Sequence, residues 1–130
     1  MHPVRKELIS FLAAEGLLPP GHGTRIQETL RVAPEPIGAI AFRYGMLSGG
    51  EIDEILDRQR HCNLPFGELA IEQGVLTENQ LENLLRVQQM RAACEAAEAL
   101  ILSGVCSFED VTVRLGRFLA SQPAAAGTRR

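Results

Sequence analysis

Apolar residues recur at helical spacing behind two polar residues of the chain, Ser48 and Thr77. They stand at the same offsets in both places: Ile52, Ile55 and Leu56 in the first, and Leu81, Leu84 and Leu85 in the second. Spacings of three and four residues place side chains on one face of a helix. No segment alternates apolar and polar residues over the length of a strand, so the pattern predicts an all-α fold.

A glycine followed by two apolar residues occurs four times: Gly16-Leu17-Leu18, Gly45-Met46-Leu47, Gly74-Val75-Leu76 and Gly104-Val105-Cys106. Successive glycines are 29, 29 and 30 residues apart. Just past a helix end the backbone commonly turns left-handed, and glycine takes that conformation without a steric penalty. The spacing therefore predicts about four quasi-repeats of a helix, a turn and a helix.

The two central repeats agree over a longer stretch, residues 36–59 and 65–88, each 24 residues long with five residues between them. Each begins with a proline, which suits the first position of a helix. Residues 48–51 and 77–80 have the sequence of a capping box, in which side chain and backbone at a helix start bond each other reciprocally. Residues 24–27 and 107–110 repeat this signal on either side.

The repeats are expected to pack into one small helical domain over residues 1–121. Residues 77–103 hold no Gly or Pro and predict one long helix, whose second half is rich in alanine. Small side chains let helices approach closely, either within the fold or between the subunits of a homo-oligomer. Residues 122–130 hold Pro, Gly and two Arg and are expected to form a disordered tail.

Composition narrows the classes of partner. The chain has 13 basic and 16 acidic residues and a net charge of −3, which disfavours nucleic-acid binding. Its apolar runs are too short for membrane insertion and its first residues lack the apolar core of a signal peptide, so a cytoplasmic location is expected. Three cysteines without a CxxC pair are typical of reduced thiols.

Sequence motifs of catalysis are missing. The chain has no GxSxG, no Walker loop, no His-Glu-x-x-His and no dinucleotide fingerprint. His22 and His61 have no partner at the spacing of metal ligands, and the acidic run at Asp53, Glu54 and Asp57 is typical of a solvated helix face. We therefore expect no enzyme, no cofactor and no metal site.

The tandem motif resembles the N-terminal domain of the type II secretion and type IV pilus assembly ATPases, the MshE N-terminal (MshEN) family. The family motif begins Arg-Leu-Gly, has glycine at its tenth position and ends in Gln at its twenty-fourth. The matching residues are Ile37, Gly38, Ala41, Gly45, Ile52, Leu56 and Gln59 in the first copy, and Phe66, Gly67, Ala70, Gly74, Leu81, Leu85 and Gln88 in the second. The resemblance covers residues 36–88, roughly two-fifths of the chain.

In that family the two motifs together bind the bacterial second messenger cyclic di-GMP, and the domain regulates an attached ATPase. The resemblance implies six ligand-binding residues: Ile37, Gly38, Gln59, Phe66, Gly67 and Gln88. Each also has an explanation in packing or solvation alone. The glycines admit a neighbouring helix, the two apolar residues fill a core or groove, and the glutamines are solvated near helix ends.

The chain departs from the family motif at its first position, where Pro36 and Pro65 stand in place of arginine. A guanidinium group can pair with a phosphate or stack on guanine, and here it is missing twice. Residues 36–88 also carry four arginines against eight acidic residues, a local net charge of −4 that opposes binding of a dianion.

The sequence thus predicts a non-catalytic regulatory module of the MshEN type. Such a module binds cyclic di-GMP, docks a protein partner such as a secretion or pilus ATPase in trans, or does both. The alternative is a protein-interaction adaptor that keeps the scaffold and has lost the nucleotide. The double loss of arginine and the negative local charge favour this alternative.

Overall fold

Residues 3–19 and 35–122 are described by the structure, a computed structural model. The helices in these two ranges are α1 (Pro3–Ala14), α2 (Ile37–Arg43), α3 (Gly49–Gln59), α4 (Phe66–Glu72), α5 (Glu78–Leu102) and α6 (Phe108–Ser121). Neither range contains a strand, which confirms the all-α prediction. The predicted capping box at residues 24–27 and residues 123–130 of the predicted tail lie outside the described residues, while Gln122 is the C-cap of α6.

The described residues fall into two compact units. Unit one contains residues 3–19 and 89–122, and unit two contains residues 35–88, so that α5 contributes to both. The expectation of one domain over residues 1–121 stays a prediction. Within the described ranges, none of the helices combines the length and the apolar character that spanning a membrane requires.

The four repeated glycines all have a left-handed backbone, as predicted, with φ between 72° and 79°. At Gly45, two hydrogen bonds close the end of α2: the Gly45 N–H donates to Phe42 O at 3.1 Å, and the Met46 N–H donates to Ala41 O at 2.8 Å. This pair of bonds is the Schellman motif. The same two bonds recur at Gly16, Gly74 and Gly104.

The central capping boxes form in full. The Ser48 hydroxyl accepts from the Glu51 N–H at 3.1 Å, and the Glu51 carboxylate accepts from the Ser48 N–H at 2.8 Å. Thr77 and Gln80 make the same exchange at 3.1 and 2.9 Å. At residues 107–110 only the bond from the Asp110 N–H to the Ser107 hydroxyl, 3.2 Å long, is formed, because the aspartate side chain is shorter.

The prediction that the prolines take the first helical position is wrong by one residue. Pro36 and Pro65 are the N-caps of α2 and α4, with ψ of 150° and 152°. Their extended backbone lies outside the helix, but the Pro36 carbonyl accepts from the Ile40 N–H at 3.2 Å and the Pro65 carbonyl accepts from the Leu69 N–H at 3.2 Å. Each proline therefore starts its helix from the cap position.

Unit two has a core built from both motifs. Its buried residues are Ile37, Ile40, Ala41, Leu47, Ile55, Leu69, Ala70, Leu76, Leu81, Leu84 and Leu85. Of the apolar residues predicted for one face of α3, Ile55 is fully buried and Ile52 packs against the core from a half-buried position. Leu56 is different, because 43% of it is exposed to solvent.

Unit one packs α1 against the alanine-rich half of α5. Its buried core includes Val4, Leu8, Ile9 and Leu12 from α1, Ala92, Ala93, Ala96 and Leu100 from α5, and Phe118 from α6. The small alanines also admit Arg5, which is completely buried, donates from Nε to Ala92 O at 3.3 Å and pairs with Glu95. Close approach at these alanines thus takes place within the unit.

The capping boxes make a measurable contribution to stability. We expect Thr77→Ala to lower the free energy of unfolding by about 1 kcal/mol, because the Gln80 N–H loses its acceptor. Thr112→Ala is the matched control, since Thr112 is exposed inside α6 and its hydroxyl bonds carbonyls of its own helix. It is expected to change the stability by less than about 0.5 kcal/mol. Equal losses in urea titrations of the two variants would contradict the capping role of Thr77.

Candidate functional site

The six candidate ligand-binding residues lie in unit two, at the starts and ends of the two motifs. Ile37 and Gly38 open α2, and Phe66 and Gly67 open α4. Gln59 is the last residue of α3, and Gln88 lies inside α5. Five of the six thus lie at the ends of helices and one lies in the interior of a helix.

Gly38 lies against an aromatic ring of the other motif. A Cβ atom placed on Gly38 would stand 3.0 Å from Cζ of Phe66, closer than an ordinary van der Waals contact. Phe66 is half-buried and packs on the core, and Ile37 is buried outright. The first turns of α2 and α4 thus meet, and the bare backbone of Gly38 is used by Phe66.

Gly67 is packed still more closely. A Cβ atom at this position would stand 2.6 and 2.8 Å from the two Cδ atoms of Leu81, which is fully buried in α5. The missing side chain lets the first turn of α4 rest on α5. Contacts within the chain therefore account for both motif glycines.

The two motif glutamines bind backbone carbonyls at the start of a motif. Gln59, which ends the first motif, donates from Nε2 to Leu64 O at 3.4 Å, and Leu64 precedes Pro65. Gln88, which ends the second motif, donates from Nε2 to Glu35 O at 3.0 Å, and Glu35 precedes Pro36. Each glutamine amide thus donates to the residue just before the other motif. In the case of Gln88 the two bonded residues are 53 positions apart in the sequence.

An open pocket of about 500 Å³ lies at the connection between the motifs and is lined by Gln59, Cys62, Asn63, Leu64 and Pro65. Gln59 is the only one of the six candidate residues in this lining. The Cys62 thiol donates to Arg58 O at 3.3 Å. Because none of these five lining residues has a cationic side chain, they offer a phosphate no charge partner.

The arginines of unit two are already paired with carboxylates. Arg58 lies 2.9 Å from Glu72, and Arg43 pairs with Glu35. The remaining two form pairs within a helix or at its end, Arg86 with Glu82 at 3.4 Å and Arg60 with Asp57 at 3.8 Å. A bound dianion would have to compete with these carboxylates for every guanidinium group of the unit.

The two cysteine thiols of unit one, Cys94 and Cys106, have raised pKa values. Burial raises the pKa of the Cys94 thiol, and the nearby carboxylates of Glu98 and Glu95 raise it further. Burial and Asp110 likewise raise the pKa of Cys106. Both thiols are therefore protonated at neutral pH, the less nucleophilic form. In the described part of the chain, no three His, Cys, Asp or Glu residues come together as a set of metal ligands.

Sequence reasoning missed the contacts that engage these residues. Local spacing does not predict these contacts, because they join separate segments of the chain. They are the contact of the Phe66 ring with Gly38 and the glutamine bonds to Leu64 O and Glu35 O. One signal was present, namely that both glutamines stand at the same motif position and both carbonyls precede a motif proline.

Comparison with known proteins found no matching family model, curated protein or solved structure. The likeness to the MshEN family therefore rests on the motif residues and their spacing.

Two glycine substitutions test how tightly the motif glycines are packed. We expect Gly67→Ala to lower the free energy of unfolding by about 1 to 3 kcal/mol, because the new methyl group overlaps Leu81 in the core. Gly116→Ala is the control, since Gly116 is exposed in α6 and a Cβ there has no neighbour within 4 Å among the described residues. It is expected to stabilise by about 0.5 to 1 kcal/mol. A stabilising Gly67→Ala would show that the backbone at Gly67 is open.

The two glutamine bonds differ in burial and are therefore expected to contribute differently to the free energy of unfolding. We expect Gln88→Ala to cost about 1 kcal/mol, because its bond to Glu35 O is half-buried. The bond from Gln59 to Leu64 O is longer and exposed, so Gln59→Ala is expected to cost less than about 0.5 kcal/mol. Thermal or urea unfolding measures both variants. A Gln88→Ala chain as stable as the parent would mean that this side chain is free for a ligand.

Proposed function

We propose that the chain is a non-catalytic regulatory module that docks a protein partner, and that its MshEN-like scaffold has lost most of the affinity for cyclic di-GMP. The observation that carries this proposal is that all six candidate residues make contacts within unit two. Both glycines are covered by side chains, both glutamine amides are bonded to carbonyls, and Ile37 and Phe66 belong to the packing of the core.

The charge of unit two supports the same proposal. Cyclic di-GMP carries two phosphates, and recognition of phosphate in a protein commonly uses arginine. At the first position of each motif the chain has Pro36 and Pro65, which serve as N-caps. The arginines that are present are paired with carboxylates.

The resemblance suggests which class of partner such a module serves. In the MshEN family the domain regulates an ATPase of secretion or pilus assembly. This chain would act on such an ATPase as a cytoplasmic protein. A partner of this kind is bound by a protein surface and does not require the nucleotide groove.

Sensing of cyclic di-GMP by direct binding is the second candidate function. The observation in its favour is the open pocket beside Pro65, which includes the motif residue Gln59 and has room for part of a nucleotide. A ligand there would be held by polar and apolar contacts without a charge partner.

Calorimetric titration of the chain with cyclic di-GMP separates the two candidates. We expect a Kd weaker than about 100 µM, which corresponds to a binding free energy less favourable than about −5.5 kcal/mol. Tighter binding would contradict the proposal and favour the nucleotide sensor.

The double variant Pro36→Arg with Pro65→Arg completes this experiment. It adds the two missing guanidinium groups to a region of net charge −4. Because Phe66 covers Gly38, we expect the folded double variant to gain less than tenfold in affinity. A gain of tenfold or more, together with a new dependence on salt, would show that only the arginines were missing.

A further inference from the structure

Arg5 lies within the buried face of α1, among aliphatic side chains. The other buried residues of this helix are Val4, Leu8, Ile9 and Leu12, and none of the five is more than 6% exposed. At 100° per residue, the four aliphatic residues span an arc of about 140° around the helix, and Arg5 falls inside this arc. A permanently charged group thus occupies a place that an aliphatic side chain would fill in an ordinary amphipathic helix.

The surface that α1 covers on α5 consists mainly of alanine. Ala92, Ala93 and Ala96 are fully buried, and Leu100 is the large side chain that follows them in the core of unit one. A helix is held in position along its neighbour by side chains that fit between those of the other helix. Methyl groups form only low ridges, so the alanines allow a close approach of α1 without fixing its position along α5.

The aliphatic residues of α1 do not fix that position either. A shift of α1 by one turn, four residues or about 6 Å, would bring Leu8 to the place of Val4 and Leu12 to the place of Leu8. Ile9 would take the place of Arg5. Since aliphatic side chains would still face the alanines at these three places, much of the apolar contact is kept in the shifted register.

The polar contacts of Arg5 are lost in such a shift. Its Nε donates to Ala92 O at 3.3 Å, and its guanidinium pairs with Glu95, whose side chain is 48% exposed. Movement by one turn would separate the guanidinium from both groups. A buried charge that has lost its counter-charge is strongly destabilising, even where the intact pair adds little to stability. The register that keeps both contacts is therefore favoured over the neighbouring ones.

We infer that Arg5 is a positioning residue that selects one register of α1 on α5. A single polar residue in an apolar helix interface specifies register at some cost in stability. In the selected register Glu15, which follows α1, pairs with Arg117 of α6, and the Cys106 thiol donates to Leu17 O at 3.5 Å. The inference goes beyond the proposed function and does not depend on it.

The test compares amide NMR spectra of the full chain and of its variants. We expect Arg5→Met to divide or broaden the amide peaks of α1 and of residues 89–122. The reason is that a second register is then populated to about a tenth or more, which corresponds to a free-energy gap of about 1.4 kcal/mol or less. The peaks of α2, α3 and α4 should stay single. Single sharp peaks throughout the Arg5→Met chain would overturn the proposal.

Two further variants separate the effect of the charge from that of packing. Leu8→Met is the matched control, because it places the same methionine side chain on the buried face of α1 and keeps Arg5. Arg5→Lys keeps a positive charge within reach of Glu95. Both variants are expected to give single peaks in α1 and in residues 89–122, as the parent does. Divided peaks in either variant would overturn the proposal.

Urea unfolding and sedimentation complete the test. Replacement of a buried charge by an apolar residue of similar volume is often neutral or stabilising, and Glu95 keeps its contact with water. We therefore expect Arg5→Met to unfold at the urea concentration of the parent or above it. Loss of the unfolding transition would overturn the proposal, since Arg5 would then be required for folding itself. A dimer with single peaks would also overturn it, because α1 would then keep its register and exchange between chains.

Discussion

The left-handed glycine turn is the constraint on which the central motifs depend. Gly45 ends α2 and Gly74 ends α4, and each turn is closed by the same two backbone bonds. The turn directs the next two apolar residues toward the core, so that Leu47 and Leu76 are both 3% exposed. The cap of the next helix follows at once, at Ser48 and Thr77. One short segment thus ends a helix, anchors the chain and starts another helix.

The parts of the fold that depend on neighbouring residues could be predicted from the sequence. The left-handed glycines, the central capping boxes and the absence of strands from the described ranges all follow from local propensity and periodicity. The exposure of Leu56 could not be predicted in this way, because Leu85 stands at the same offset in the second motif and is buried, so local spacing does not separate the two. The one-residue error at Pro36 and Pro65 has a similar origin, since cap and first turn both suit proline.

The candidate site was harder to predict because its meaning depends on contacts across the unit. Sequence spacing identifies Gly38, Gly67 and Gln88 as repeated positions, but it does not show what lies against them. In the structure Phe66 lies against Gly38 and Leu81 lies against Gly67. Gln88 donates to the carbonyl of Glu35. A motif that resembles a ligand-binding signature can therefore be explained by the packing of the scaffold.

The division of the chain has a consequence for the order in which it folds during synthesis. Unit two is continuous in sequence, whereas unit one joins α1 to residues 89–122. Its buried bond from Arg5 to Ala92 spans 87 residues. During synthesis α1 leaves the ribosome before residues 89–122, and Val4, Leu8 and Leu12 are then not yet covered by them. The residues of unit two are released between the two parts of unit one, so the apolar face of α1 stays open to chaperones and to misassociation until residues 89–122 have been released.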